Sequence, residues 1–233
     1  MPLDTSLHKK ILLQILKDIY ADTTIAPLLG FKGGTAVFMF YDLGRFSLDL
    51  DFDLLDASKE EYVFGQVKEI AKNYGTIKEA ERKQHTLIFV LSYAEEAHNI
   101  KIEINRRQFG SQYEVKTYLG ISMLVMRQED MFAHKLMAMY ERMGKTSRDI
   151  YDVWFFLQKN WPINKKIVEK RAGRPLPELL QKCVEALEKM SNRRILDGVG
   201  ELLTAGQKDW ARAKLKSETI FLLKLLLESQ ESS

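Results

Sequence analysis

Apolar residues along the first half of the chain alternate between helical and strand spacing. Leu12, Ile15, Leu16 and Ile19 recur at the period of one helix face and predict a helix over residues 5–20. Pro27 and Gly30 punctuate the chain before Gly33-Gly34-Thr35, which opens a short apolar helical segment that Leu43-Gly44 closes. A strand follows with carboxylates at Asp49, Asp51 and Asp53. The strand period of two puts Asp49 and Asp51 on one side, and Leu50 and Phe52 on the other. Ser58-Lys59-Glu60-Glu61 spells a capping box and predicts a helix ending near Tyr74-Gly75. Strand-like segments are expected at residues 75–80, 86–93 and 99–105, then an extended stretch at 114–126 that turns at Leu119-Gly120. In the third of these, Ile100, Ile102 and Ile104 share one side, and Lys101, Glu103 and Asn105 the other.

From Arg127 onward the pattern is helical, over residues 128–143, 147–159, 164–172, 177–190, 195–204 and 209–229. The expected organisation is an α/β domain at residues 1–126 and a helical domain at 127–233. Composition changes this picture little. Hydrophobic residues make up 45% and charged residues 29% of 233, as in ordinary globular proteins. The net charge of +3 is compatible with a nucleic-acid partner without demanding one. Cys183 is the only cysteine, which rules out an intrachain disulfide or a multi-cysteine zinc site and suits a reducing, cytoplasmic setting. Met1-Pro2-Leu3-Asp4 leads into an amphipathic helix with no signal-peptide pattern, residues 228–233 form a polar tail, and no apolar run is long enough to span a bilayer.

The chemistry concentrates in a few places. Two aligned carboxylates repel and call for a cation, and Mg²⁺ (or Mn²⁺) is a hard ion that binds through one or two carboxylates plus substrate phosphates. The Gly33-Gly34-Thr35 turn suits phosphate, since glycine allows close backbone approach and the N–H groups at a helix start favour negative charge. Arg45 and Ser47 flank the carboxylates, Ser47 with their parity if the strand extends that far. Arg45 is available either to a phosphate or to Asp42, and Lys32 has a similar choice. In the helix at 128–143, Lys135 and Arg142 fall within the arc formed by Met131, Phe132, Leu136, Ala138, Met139 and Met143. Cations at such positions either snorkel from the core edge or meet an anion. Arg148, Asp149 and Asp152 open the next helix, where capping and an ion pair from Arg148 to Asp152 are the plain structural uses. Four histidines, His8, His85, His98 and His134, have no metal-ligand spacing. Basic pairs recur between Lys165 and Lys216, each a solvated face by itself and together a possible track for a polyanion.

A glycine turn, a helix and a D-x-D strand, in that order, resemble the first motif of the DNA polymerase β-like nucleotidyltransferases. The longer spelling, Lys32-Gly33-Gly34-Thr35-Ala36 with Arg45-x-Ser47-x-Asp49-x-Asp51-Phe52, is similar to the AbiEii/AbiGii abortive-infection toxin branch. Lys135, Arg142 and Arg148-Asp149-x-x-Asp152 match that branch's helical lysine, arginine and R-D-x-x-D. The resemblance covers residues 32–152. It implies an α+β fold: a polymerase β-like mixed sheet with helices, followed by a C-terminal helical bundle.

The same resemblance implies Mg²⁺- or Mn²⁺-dependent transfer of a nucleotide from an NTP. Asp49, Asp51 and Glu103 would be metal ligands, glutamate standing where many members of the superfamily have aspartate. Lys32, Gly33, Gly34, Thr35, Arg45, Ser47, Arg142, Arg148 and Asp152 would bind nucleotide. Lys135 would contact the triphosphate, and Asp149 would orient Lys135 or the substrate base. An RNA acceptor, a transfer RNA 3′ end foremost, and a cognate antitoxin follow as expected partners of a toxin–antitoxin system. Two rivals are an enzyme acting on a small molecule, as the aminoglycoside-modifying members do, and a non-enzymatic RNA- or protein-binding module.

Overall fold

The computed structural model describes residues 4–94 and 98–231. The first three residues and the last two of the polar tail lie outside them, so the start of the chain read for a signal peptide is covered only from Asp4. The chain divides into two compact units: Met1–Gln108 with Gln112–Met126, and Phe109–Ser111 with Arg127–Ser233.

The first unit is a seven-stranded mixed sheet with helices. Its strands are β1 (Leu29–Lys32), β2 (Leu50–Leu54), β3 (Thr76–Arg82), β4 (Thr86–Ser92), β5 (Ile100–Asn105), β6 (Tyr113–Tyr118) and β7 (Ile121–Met126), in the order β3-β4-β5-β2-β1-β7-β6. β2 runs parallel to β5 and β1 parallel to β7; the other pairings are antiparallel. Helices α1 (Thr5–Ala21), α2 (Gly33–Tyr41) and α3 (Glu60–Lys72) complete the unit. Asp4 caps α1 by accepting from the Ser6 and Leu7 N–H groups, and the stripe Leu12, Ile15, Leu16 and Ile19 is buried. Phe31, Phe52, Ile102 and Ile104 form the apolar face of the sheet.

Two local expectations are corrected here. Asp56 accepts hydrogen bonds from both the N–H and the hydroxyl of Ser58, taking the N–H that Glu61 would bind in a capping box. The expected box does not form, and a 3₁₀ turn at Ala57–Lys59 precedes α3. The helix after the glycine turn ends at Tyr41, capped by Asp42 in the left-handed region at φ 58°, just ahead of Leu43-Gly44.

The second unit contains α4 (Gln128–Glu141), α5 (Arg148–Gln158), α6 (Lys165–Ala172), α7 (Leu176–Lys189), α8 (Ala205–Trp210) and α9 (Lys216–Glu231), with one π-helical segment, Ala211–Leu215, between the last two. The helix expected over residues 195–204 is absent. Short 3₁₀ turns stand at Asn192–Arg194 and Gly200–Leu202, separated by Gly198 at φ 69°. A side chain at Gly198 would meet the Thr146 hydroxyl at 2.6 Å. Carbonyls here receive the start of α5: Asp197 accepts from the Ser147 N–H at 2.8 Å and Arg194 from its hydroxyl at 3.1 Å. Among the described residues, no helix is long and apolar enough to cross a membrane.

Candidate functional site

Strand register brings the sequence-predicted carboxylates together. β1 and β2 pair Lys32 with Asp51 and Gly30 with Asp53, and β2 and β5 pair Asp51 with Glu103 and Asp53 with Asn105. The polar positions of three adjacent strands therefore share one face, opposite the apolar one. Asp49 immediately precedes β2, and Ser47 lies further back in the same non-strand segment. Asp49, Asp51 and Glu103 are half-buried.

The glycine turn lies against this face. Gly33 has φ 78°, and a side chain there would overlap the Asp51 carboxylate. A side chain on Gly34 would meet the Arg45 guanidinium at 2.7 Å and the Ser47 hydroxyl at 2.9 Å. Both glycines are thus required by close approach to the predicted site residues. Thr35 donates its hydroxyl to the Asp49 carbonyl, tying the start of α2 to the entry of β2. Arg45 is almost wholly buried and donates to the Phe46 carbonyl at 2.9 Å.

Lys101 stands on the same face. Its ammonium is 2.9 Å from Glu103 Oε2. Burial works against the charge, and Glu103, Asp49 and Asp51 outweigh it, raising the lysine pKa above its ordinary value. Three carboxylates thus act on one ammonium. Among the described residues, no group of three His, Cys, Asp or Glu side chains is arranged to hold a metal ion. Asp51 and Glu103 on paired strand positions, with Asp49 just before β2, nonetheless supply oxygen ligands of the kind a hard divalent cation takes, beside a glycine turn suited to phosphate.

Asp53 has the same parity but a different use. It takes the Lys32 ammonium at 2.5 Å, the Asn105 amide at 2.6 Å and the Tyr113 hydroxyl at 2.6 Å. Burial favours its neutral form, but Lys32 and these hydrogen bonds prevail and hold its pKa below the usual aspartate value. The ring of Tyr113 covers Gly30, where any side chain would collide with it. Lys32, expected at the nucleotide, is bound to Asp53 in this arrangement. His8 is another anchor that the sequence did not reveal. A carbonyl can only accept, so His8 donates from Nε2 to Leu48 O at 2.9 Å, leaving Nδ1 to accept from the Tyr93 hydroxyl at 2.9 Å. This fixes the backbone one residue before Asp49.

The helical unit carries a separate cluster. The Lys135 ammonium on α4 lies 3.1 Å from Asp149 Oδ1 and 2.9 Å from Asp152 Oδ2, both on α5. Arg142 Nη2 is within 2.8 Å of Asp149. Asp149 and Asp152 are fully buried, so Lys135 meets anions rather than snorkelling to water. Asp149 pairs with α4 instead of capping its own helix, and Arg148 Nε donates to the Gly198 carbonyl at 3.3 Å.

Ser111 and His134 in the same unit look like a nucleophile and its base, at 2.8 Å, but the proton is in the wrong place. Arg171 has only donors, so His134 Nδ1 accepts from it at 2.9 Å and Nε2–H points at the serine oxygen. In the first unit, a groove of about 830 Å³ between α1 and the β6–β7 hairpin contains none of the predicted site residues.

Comparison with known proteins agrees with the fold. A protein from Helicobacter pylori, named as a candidate nucleotidyltransferase, superposes with a TM-score of 0.65 at 20% identity, covering 100% of this chain and 98% of that one. JHP933 from Helicobacter pylori superposes at 0.59 and 20% identity, covering 100% and 97%. Both likenesses concern the fold. No curated protein matches the sequence significantly. The profile described as nucleotidyl transferase AbiEii toxin, type IV toxin–antitoxin system, matches residues 14–218, and the chain belongs to this family of nucleotidyltransferases.

Proposed function

We propose that the protein transfers a nucleotide from an NTP to the 3′ end of an RNA, foremost a transfer RNA, with Mg²⁺ or Mn²⁺ as cofactor and pyrophosphate as leaving group. The observation that carries the reading is the in-register pair Asp51 and Glu103, with Asp49 beside it, packed against the Gly33 turn. Asp49, Asp51 and Glu103 would hold the metal. When bound, such an ion neutralises phosphate charge and stabilises the attacking and leaving oxygens of an in-line displacement. The N–H groups at the start of α2 are suited to the triphosphate, because helix starts favour anions and Gly33 and Gly34 place no side chain in the way. Thr35, Ser47 and buried Arg45 keep this turn and the carboxylates in register. The resemblance of the motif supports a role for Lys135 at the triphosphate, with Asp149 and Asp152 holding its ammonium in one orientation and Arg142 and Arg148 completing that group.

The acceptor half rests on charge and on family. Many basic residues of the helical unit are already engaged: Arg171 with Glu141, Arg174 with Glu178, Arg194 with Asp197 and Arg212 with Asp209. Exposed basic residues such as Arg193 offer phosphate contacts without base specificity. The type IV toxin–antitoxin description supports a role as the toxin, with a cognate antitoxin as genetic partner.

The test is transfer of label from each α-labelled NTP into purified tRNA, with and without Mg²⁺. Metal-dependent labelling of tRNA is expected. Label entering only a small molecule or the protein itself would reject the acceptor. No turnover of any NTP with any acceptor would favour a non-enzymatic module.

A further inference from the structure

Lys101 lies two residues before Glu103 on β5, so both side chains leave the same face of the strand. β5 runs parallel to β2 with Leu50 opposite Ile102 and Asp51 opposite Glu103. One step back along both chains sets Lys101 beside Asp49. The ammonium reaches Glu103 at 2.9 Å and sits in the field of Asp49 and Asp51. A cation thus already occupies the neighbourhood where three carboxylates would otherwise repel one another.

The pair is loosely held. The Lys101 and Glu103 side chains are 39% and 31% exposed, and part-exposed ion pairs contribute little. Lysine is a point charge on a flexible four-carbon stem, and its head can swing to water without unfolding the strand. An ammonium at Glu103 and a divalent ion at Glu103 compete for the same oxygens.

We propose that Lys101 is the internal counter-ion of the metal-free site, and that a divalent cation binds only as the Lys101 ammonium leaves Glu103. This rests on the metal assignment made above. Lys101 therefore lowers metal affinity while it keeps the carboxylates from repelling one another before metal and NTP arrive. It is a positioning residue, acting through Glu103.

The test is Mn²⁺ binding to the full-length protein without nucleotide, by calorimetry and by the electron paramagnetic resonance signal of free Mn²⁺. Wild type, Lys101→Met and Lys101→Arg are compared, with circular dichroism to confirm folding and Lys101→Gln as a second neutral replacement. The neutral variants should bind Mn²⁺ about tenfold more tightly or better, since a like charge is removed from the ion's immediate field. Lys101→Arg should remain near wild type. Asp51→Asn combined with Lys101→Met should lose the gain, which locates the ion at this face. Equal or weaker Mn²⁺ binding by the neutral variants would overturn the counter-ion role while leaving the metal site standing. Absence of Mn²⁺ binding in wild type and both neutral variants would overturn the metal assignment together with it.

Discussion

Each unit holds a cluster of charges, and the two clusters are built differently. On the sheet, Asp49, Asp51 and Glu103 are half-exposed, with the Lys101 ammonium at Glu103. In the helical unit, Asp149 and Asp152 are fully buried and are matched by Lys135 and Arg142. The buried carboxylates hold α4 to α5 and fix the direction of the Lys135 ammonium. The half-exposed ones are open to an ion from solvent. Exposure, more than residue type, separates carboxylates that can take an ion from carboxylates that position a cation.

The largest effect expected from this contrast is on the sheet. Asp51→Asn should lower nucleotide transfer by at least about 100-fold, the scale of losing one preorganised electrostatic partner at a reacting phosphate. Its thermal midpoint should stay at or above that of wild type, because one charge leaves a repelling group. A folded Asp51→Asn protein with wild-type turnover would break the contrast at its functional end.

Stability should respond the other way. Lys135→Met removes the ammonium that lies on two fully buried carboxylates, and breaking a buried pair from one side costs about 3–5 kcal/mol. Lys101→Met touches a part-exposed pair and should change unfolding by no more than about 1 kcal/mol. Urea denaturation of the two variants compares them directly, and equal losses would erase the distinction. The result also governs how a loss of activity in a Lys135 variant is read, since stability must be measured first.

The smallest expected effect concerns pH. Burial lowers the His8 pKa against the support of the Leu48 carbonyl. A depressed folded-state pKa means that the unfolded chain takes up the proton first as pH falls below about 6.5, so stability is full above that value and lost beneath it. The urea midpoint should fall from about pH 7.5 to about pH 5.5 in wild type, and by less in His8→Gln, relative to the unperturbed histidine range. Identical pH profiles would show that His8 does not couple the position of Leu48, and so of Asp49, to stability.

Much of this architecture was legible in the residues because local patterns dictate it. The α1 stripe, the Leu119-Gly120 turn and the strand parity of Asp51 and Glu103 depend on periods of 3.6 and 2, which a sequence displays directly. What remained hidden depends on register and on distant partners. Alternation alone gives Lys101 a solvated face, and only the alignment of β5 with β2 sets it among carboxylates. Asp53 is indistinguishable from Asp49 and Asp51 by parity, yet Lys32, Asn105 and Tyr113 convert it into an anchor. The box at Ser58 does not form because Asp56, two residues earlier, takes the Ser58 N–H that Glu61 would bind. The helix expected at residues 195–204 gave way to a glycine placed close to Thr146.

The central claim is that the polar face of β1, β2 and β5 receives metal and triphosphate. Anomalous diffraction from crystals grown with Mn²⁺ and a non-hydrolysable NTP analogue tests it most directly. The account predicts a Mn²⁺ peak at coordinating distance from Asp51 and Glu103, phosphate density at the N–H groups of Gly33 and Gly34, and the Lys101 ammonium displaced from Glu103. Mn²⁺ and phosphate bound together elsewhere, with Lys101 still on Glu103, would contradict it.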